Sequence, residues 1–418
     1  MSTVQESRPL APLPLEGLRV LDVTHIVAGP FCSMILADMG AEVIKIERPG
    51  SGERIRIIGP FIVGPDSQQV SARYLGLNRN KKSVTLDLRD ARCKAAFERM
   101  VVESDVLLDN WGPGALGRLG LGYEALSELN PSIIYASLTG YGDPESPAPG
   151  PYSHWPANNP CVQGMGGWMT VTGGVDQGPQ MVGDNVGDSV PGVWTALGIM
   201  MALESRRRTG RGQYVDMAMY DCMVDHTTST MPFYQATGQV AGRERGDMAS
   251  AQLTLRATDG YVVLAGAGGP GASEKWQTLW RHIGREDLVN DPRYLGERAS
   301  SEFYLDHFVP ALEAWSKNLP KAEVTRQLID LGYSMGMVQD QADLDQCPHL
   351  EARGMFINGG NDIGGIFRTV NTPIKIAGSV GTPNRQPPLL GEHNSEILCS
   401  IGGLTPEELA AWEAEEKV

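Results

Sequence analysis

The sequence predicts an α/β protein in which a large domain with a doubly wound parallel sheet is joined to a smaller α+β domain. Three observations point there. Short apolar, β-branched runs alternate with helical stretches from Leu18 to Leu138. Most of these runs are followed by turns rich in Gly, Pro or Asn. From about Thr228 the composition changes, and a hairpin signal follows.

Taken in order, Leu18 to His25 (LRVLDVTH) reads as the first strand, followed by Gly29-Pro30 and an apolar helix from about Phe31 to Met39. Glu42 to Arg48 is the second strand. Lys82 to Leu88 is the third and leads into a helix ending near Glu103. Asp105 to Asn110 and Ile133 to Leu138 are the fourth and fifth, with a helix between them that ends near Asn130. Sheets of this kind bind ligands at the carboxyl ends of their strands, and the unusual residues sit there. His25-Ile26-Val27-Ala28 follows the first strand, Arg48 ends the second, Asn110-Trp111-Gly112-Pro113-Gly114 follows the fourth, and Thr139-Gly140-Tyr141-Gly142 the fifth. No GxGxxG follows the first strand, so a nicotinamide or flavin dinucleotide is not indicated.

Residues 143–187 are rich in Gly, Pro, Asn and Met and read as a long functional loop without regular elements. A nearly all-apolar helix from about Pro191 to Glu204 is expected to be buried on every side. The basic stretch Arg206-Arg207-Arg208 reads as a solvated turn. Strand-like Gln252 to Ala257 and Tyr261 to Ala265 flank Asp259-Gly260, and helices dominate to about Leu331. The expected boundaries are therefore 1–227 for the first part of the large domain, 228–336 for the smaller one, and 337–418 for a return to the large domain and a closing helix.

The chain has 418 residues, 41% hydrophobic and 20% charged, enough for two or three domains with a sizeable core. Its formal charge of −15 argues against nucleic acid or an anionic membrane as partner. Six cysteines with no CxxC pair read as reduced thiols and give no metal site. Met1 to Pro14 is polar and broken by proline, unlike a signal peptide. No run approaches the ~18 apolar residues of a membrane span. The cytoplasm is the expected compartment.

Several long motifs recur in one order. They are Leu15 to Glu53, containing GLRVLDVTH, AGPFC and LADMGAEVIKIERPG; NRNKKSVTLDL from Asn78; GPGALGRLGLGYE from Gly112; RRRTGRGQYVDMAMYD from Arg206; and PPLLGEHN near the end. Together they resemble the class III CoA-transferase family, which includes formyl-CoA and carnitine CoA-transferases, over nearly the whole chain. The resemblance implies an interlocked, ring-like dimer, either a homodimer or a heteromer with a paralogous subunit. It implies acyl-CoA and a small carboxylic acid as substrates, with succinyl-CoA the expected donor, and no tightly bound cofactor.

The resemblance also assigns roles. It carries the covalent nucleophile onto Asp188 of GDSxxG, although Asp188 or Ser189 before Pro191 reads equally as a helix N-cap. It places His25, Ile26, Ala28, Arg48, Leu86, Asn110, Trp111, Ala115, Arg118 and Leu119 around CoA, with Arg48 and Arg118 on the phosphates. Backbone N–H groups of Gly166, Gly268 and Gly269 are candidate oxyanion donors, and the stretch 266–271 resembles the family's mobile glycine loop, although a plain turn fits it as well. Val27 stands where formyl-CoA transferase has a glutamine, which suggests a different acid. Asn158-Asn159 stands where racemases of this fold carry His-Asp, which disfavours racemisation. A racemase or isomerase, or a non-catalytic partner of a paralogous subunit, remain the alternatives.

Overall fold

The computed structural model describes residues 11–64, 67–146, 148–174, 177–243, 253–265, 272–292, 307–363, 365–377 and 385–418. The chain divides into two compact units, one of Met1–Thr172, Pro179–Gln239 and Glu351–Val418, the other of Gly173–Gly178 and Val240–Leu350.

In chain order the first unit begins β1 (Arg19–Asp22), α1 (Ala28–Asp38), β2 (Glu42–Glu47), β3 (Phe61–Val63), β4 (Gln69–Ser71), α2 (Ala72–Leu77), β5 (Lys81–Thr85), α3 (Ala91–Val102) and β6 (Val106–Asp109). It continues with α4 (Tyr123–Leu129), β7 (Ile134–Thr139), α5 (Asn159–Met165), α6 (Trp168–Val171), α7 (Val186–Thr209), β8 (Tyr214–Ala218), α8 (Met219–Asp225) and α9 (Thr230–Thr237). Six strands form one sheet in the order β5-β2-β1-β6-β7-β8, every neighbouring pair parallel. The strand order reverses between β1 and β6, and a crevice opens at such a point on the carboxyl edge.

Successive side chains along each strand face opposite ways and make two cores. Leu21, Ile44, Val84 and Leu107 meet Phe97 and Met100 of α3, Leu126 of α4, and Ile397, Leu398 and Trp412 of the C-terminal helices. On the other face Val20, Val43, Val106, Leu108, Ile134 and Ala136 meet Cys32 and Leu36 of α1 and Ala196, Ile199 and Ala202 of α7. Helices on both faces of a parallel sheet are the doubly wound arrangement that the sequence predicts.

The structure corrects several expectations. A sixth strand, β8, follows the basic stretch, and a small β3–β4 hairpin precedes α2. The stretch read as a loop contains α5 and α6. α7 begins at Val186, so Pro191 lies inside it, and it runs on to Thr209. Its inner face is buried, but Val193, Leu197, Met200 and Met201 are exposed, so it is not buried all round. It is also long and apolar enough to cross a membrane, against the expectation that no run comes near that length. Of the basic stretch, Arg207 and Arg208 are exposed as expected, but Arg206 is partly buried: it pairs with Asp105 at 2.8 Å and donates to Ser132 O, which ties the end of α7 to the sheet.

The second unit pairs β9 (Leu253–Ala257), β10 (Gly260–Ala265) and β11 (Ser334–Met337) antiparallel. Trp276 and Trp280 of α10 (Ala272–His282), with Phe308, cover this sheet. In the returning segment of the first unit, β12 (Phe356–Asn361) and β13 (Gly365–Val370) form a hairpin.

Candidate active site

The carboxyl edge of the sheet rests on buried charge. Asp22, at the end of β1, accepts hydrogen bonds from the Thr24 and Ser33 hydroxyls and from Lys81 Nζ at 3.2 Å. Burial opposes its ionisation, but Lys45, Lys81 and those hydroxyls hold its carboxyl well below the usual range. Lys45 donates to Thr24 O and pairs with Glu53 at 3.2 Å. Glu53 in turn accepts the Ile26 N–H at 2.8 Å. Ile26 is thereby held at φ 69°, a left-handed conformation that a β-branched residue rarely adopts. Buried charges are tolerated when each is paired in this way.

The ten residues expected around CoA fall past the carboxyl ends of four neighbouring strands, Leu86 after β5, Arg48 after β2, His25, Ile26 and Ala28 after β1, and Asn110 to Leu119 after β6. His25 and Asn110 lock two of these ends together: the His25 N–H donates to Asn110 Oδ1 and Asn110 Nδ2 donates to His25 O, both at 2.9 Å. Burial, then the charges of Lys45 and Arg54, lower the His25 imidazole to about 4, so it is neutral at pH 7. Arg48 is exposed. Arg118 is exposed and leans on Pro113 O at 2.9 Å. Trp111 is partly exposed, while Ala28 and Leu86 are buried in the apolar clusters beneath.

Asp188 lies in the first turn of α7; the capping position falls on Asn185, not on Asp188 or Ser189, and the Asn185 side chain makes no capping hydrogen bond. An added Cβ on Gly192, one turn on, would meet Ala28 O at 2.8 Å, which sets α7 against the start of α1. Farther along, Ala196 and Ile199 pack with Cys32 and Leu36, so the two helices run side by side in the same sense. Both N-termini, each with partial positive charge, therefore lie on the carboxyl edge. Val186 and Val190 pack with Ala28, Leu138 and Val162, leaving Asp188 half-buried. Burial alone pushes its carboxyl up to about 6, and it has no hydrogen-bond or ion-pair partner among the described residues.

Sequence reasoning missed what holds this turn. Asn159 Oδ1 accepts the Gly187 N–H at 2.8 Å, and Gln163, fully buried, donates to the same oxygen at 2.7 Å. Asp184 Oδ1 accepts the Asn185 N–H at 2.9 Å. The glycine in GDSxxG has a steric reason: a Cβ on Gly187 would sit 2.6 Å from Asn159 Oδ1. Gly166 is corrected. Its N–H already donates to Val162 O at 2.8 Å, and its missing side chain lets α5 meet Met223 of α8. Gly268 and Gly269 lie outside the described residues. Another buried carboxyl, Asp109 at the end of β6, is pushed up to about 7 by burial and accepts the Trp111 N–H at 2.8 Å.

A family model described as CoA-transferase family III matches residues 15–394. The chain is 35% identical to a succinyl-CoA:mesaconate CoA-transferase of Haloarcula hispanica, with 93% of this chain and 96% of that one aligned. It is 34% identical to a formyl-CoA:oxalate CoA-transferase of Streptomyces coelicolor, over 94% and 97%. A crystal structure of a CAIB/BAIF family protein from Brucella suis superposes with a TM-score of 0.83 at 31% identity, covering 94% of this chain and all of that one. With a match that spans both the sheet and the turn bearing Asp188, the chain belongs to CoA-transferase family III.

Proposed function

We propose that the protein moves CoA from an acyl-CoA donor, succinyl-CoA, to a free carboxylic acid through an aspartyl thioester on Asp188. The observation that carries this reading is the half-buried Asp188 carboxyl, without a partner among the described residues, at a helix N-terminus beside the strand ends expected to hold CoA. Arg48 and Arg118 meet the phosphates and Trp111 offers an aromatic face to the adenine or pantetheine.

The chemistry needs no net proton transfer. An Asp188 carboxylate oxygen attacks the thioester carbon, the C–S bond breaks, and CoA leaves as thiolate from a mixed anhydride. The thiolate then attacks the Asp188 carbonyl carbon and releases the donor acid as carboxylate, leaving the aspartyl thioester. The acceptor carboxylate attacks that thioester, releasing thiolate again and forming a second anhydride. Attack of the thiolate on the acceptor's acyl carbon gives the new acyl-CoA and restores Asp188. Each tetrahedral oxyanion benefits from the partial positive charge of the paired helix starts.

The enzyme works as a soluble cytoplasmic dimer of interlocked chains, and the exposed apolar side of α7 supports an interface there. The deciding test incubates succinyl-CoA or acetyl-CoA with a panel of carboxylates, with products identified by mass spectrometry. Hydroxylamine added with donor alone should convert Asp188 to its hydroxamate. Deuterium exchange into a 2-methylacyl-CoA without any adduct would show a racemase instead. Inertness in both assays would leave the reading of a non-catalytic partner subunit. Asn159, with both amide atoms engaged, and Asn158, which caps α5, offer no acid–base pair for racemisation.

A further inference from the structure

A carboxylate at the third position of a helix folds back, in a capping box, to accept the N–H of the capping residue. Among the described residues two other helices do so: Glu408 accepts the Thr405 N–H at 2.8 Å, and Asp343 accepts the Asp340 N–H at 3.1 Å. Asp188 holds the same position in α7, with Asn185 as the capping residue. Its box is not formed: the Asn185 N–H belongs to Asp184 Oδ1, and Asn185 sits at φ −101°, ψ 45° instead of the extended backbone that Thr405 and Asp340 adopt. The Gly187 N–H is taken by Asn159 Oδ1, and the Asp188 and Ser189 N–H groups both go to Asn185 O. The interceptors are themselves fixed. Asp184 sits at φ 58°, its carbonyl accepts from Asn159 Nδ2 at 3.1 Å, and Gln163 braces Asn159.

We propose that Asp184 and Asn159 are positioning residues for CoA transfer, occupying the first-turn backbone donors so that the Asp188 carboxylate stays undonated and free to attack. The proposal rests on Asp188 as the nucleophile. A carboxylate stabilised by backbone N–H groups has a lower pKa and must break those bonds to react. Other charges do not explain the state of Asp188. Cys32 on α1, Cys161 on α5, Tyr214 and Asp216 on β8, and Asp221 and Asp225 on α8 contribute nothing to its shift, which comes from burial alone.

Asp184 is exposed, so Asp184→Ala should fold, and it frees the Asn185 N–H for Asp188. The test labels Asp188 with a water-soluble carbodiimide and glycinamide across pH and quantifies the peptide by mass spectrometry, a readout that needs no substrate. In Asp184→Ala the labelling midpoint should move down by about one pH unit or more. Exchange of labelled succinate into succinyl-CoA should slow roughly tenfold in kcat with KM little changed. Asp184→Asn keeps an acceptor oxygen and should restore both. An unmoved midpoint in folded Asp184→Ala, or an Asp184→Asn as impaired as Asp184→Ala, overturns the proposal. Full exchange by Asp188→Asn would overturn the nucleophile itself, which separates the two failures.

Discussion

Asp188 combines a nearly neutral titration point with the absence of any donor among the described residues, and each has a measurable consequence. Asp188→Asn should reduce transfer below detection while improving stability. The sign follows from the direction of the shift. Its folded pKa of about 6 lies above the ordinary 3.8, so the stability of the parent protein is full below pH 4 and declines as pH rises through 6. The Asn variant escapes that decline. Thermal unfolding should show it more stable by ~1–2 kcal/mol at pH 8, after allowance for partial exposure, and equal at pH 4. Transfer by the parent should correspondingly fall as pH drops through 6. At Arg48 a phosphate contact far from the reacting carbon is made equally in ground and transition states. Arg48→Ala should weaken CoA binding by ~1.5–3 kcal/mol in titration calorimetry with kcat almost unchanged.

Among elements, the start of α7 is the most constrained by shape. Gly187→Ala would press a methyl group 2.6 Å from Asn159 Oδ1 and 2.7 Å from Asn159 O, both on the rigid start of α5. It should cost ~1–3 kcal/mol in thermal unfolding and lower kcat, whereas Gly183→Ala, whose Cβ meets nothing within 4 Å, should lose far less. The five strands from β1 to β7 that the sequence announced were legible because their apolar runs are buried on both faces and, for all but β5, closed by Gly, Pro or Asn turns. β8 was not, since its half-buried YVDMA runs straight into α8 without a turn signal. α5 and α6 are too short for periodicity and take their form from contacts with α7 and α8, such as Gly166 against Met223. Asp188 was legible only through its motif. Asp184 and Asn159 were not, because their partners are backbone N–H groups, which leave no trace in residue type.

For the whole molecule, the exposed Val193, Leu197, Met200 and Met201 of α7 form an apolar stripe. Leu197→Asp should shift the proposed dimer to monomer in light scattering and lose transfer with it. A dimer unaffected by this change would move the interface elsewhere. The same molecule places a demand on its own synthesis. β5 is one of the sheet's two edge strands, and it is closed by a segment emerging far later: Asn394 pairs with the Thr85 N–H and hydroxyl, the His393 N–H donates to Ser83 O, and Tyr74 reaches Pro388 O. Thr85 and Asn394 are 309 residues apart, which at ~5–20 residues per second is roughly 15–60 s of translation. Throughout that interval the nascent sheet has an uncapped margin on the ribosome, open to wrong pairing. Chains truncated before Pro388 should therefore aggregate more readily than the full chain when the two are compared by centrifugation.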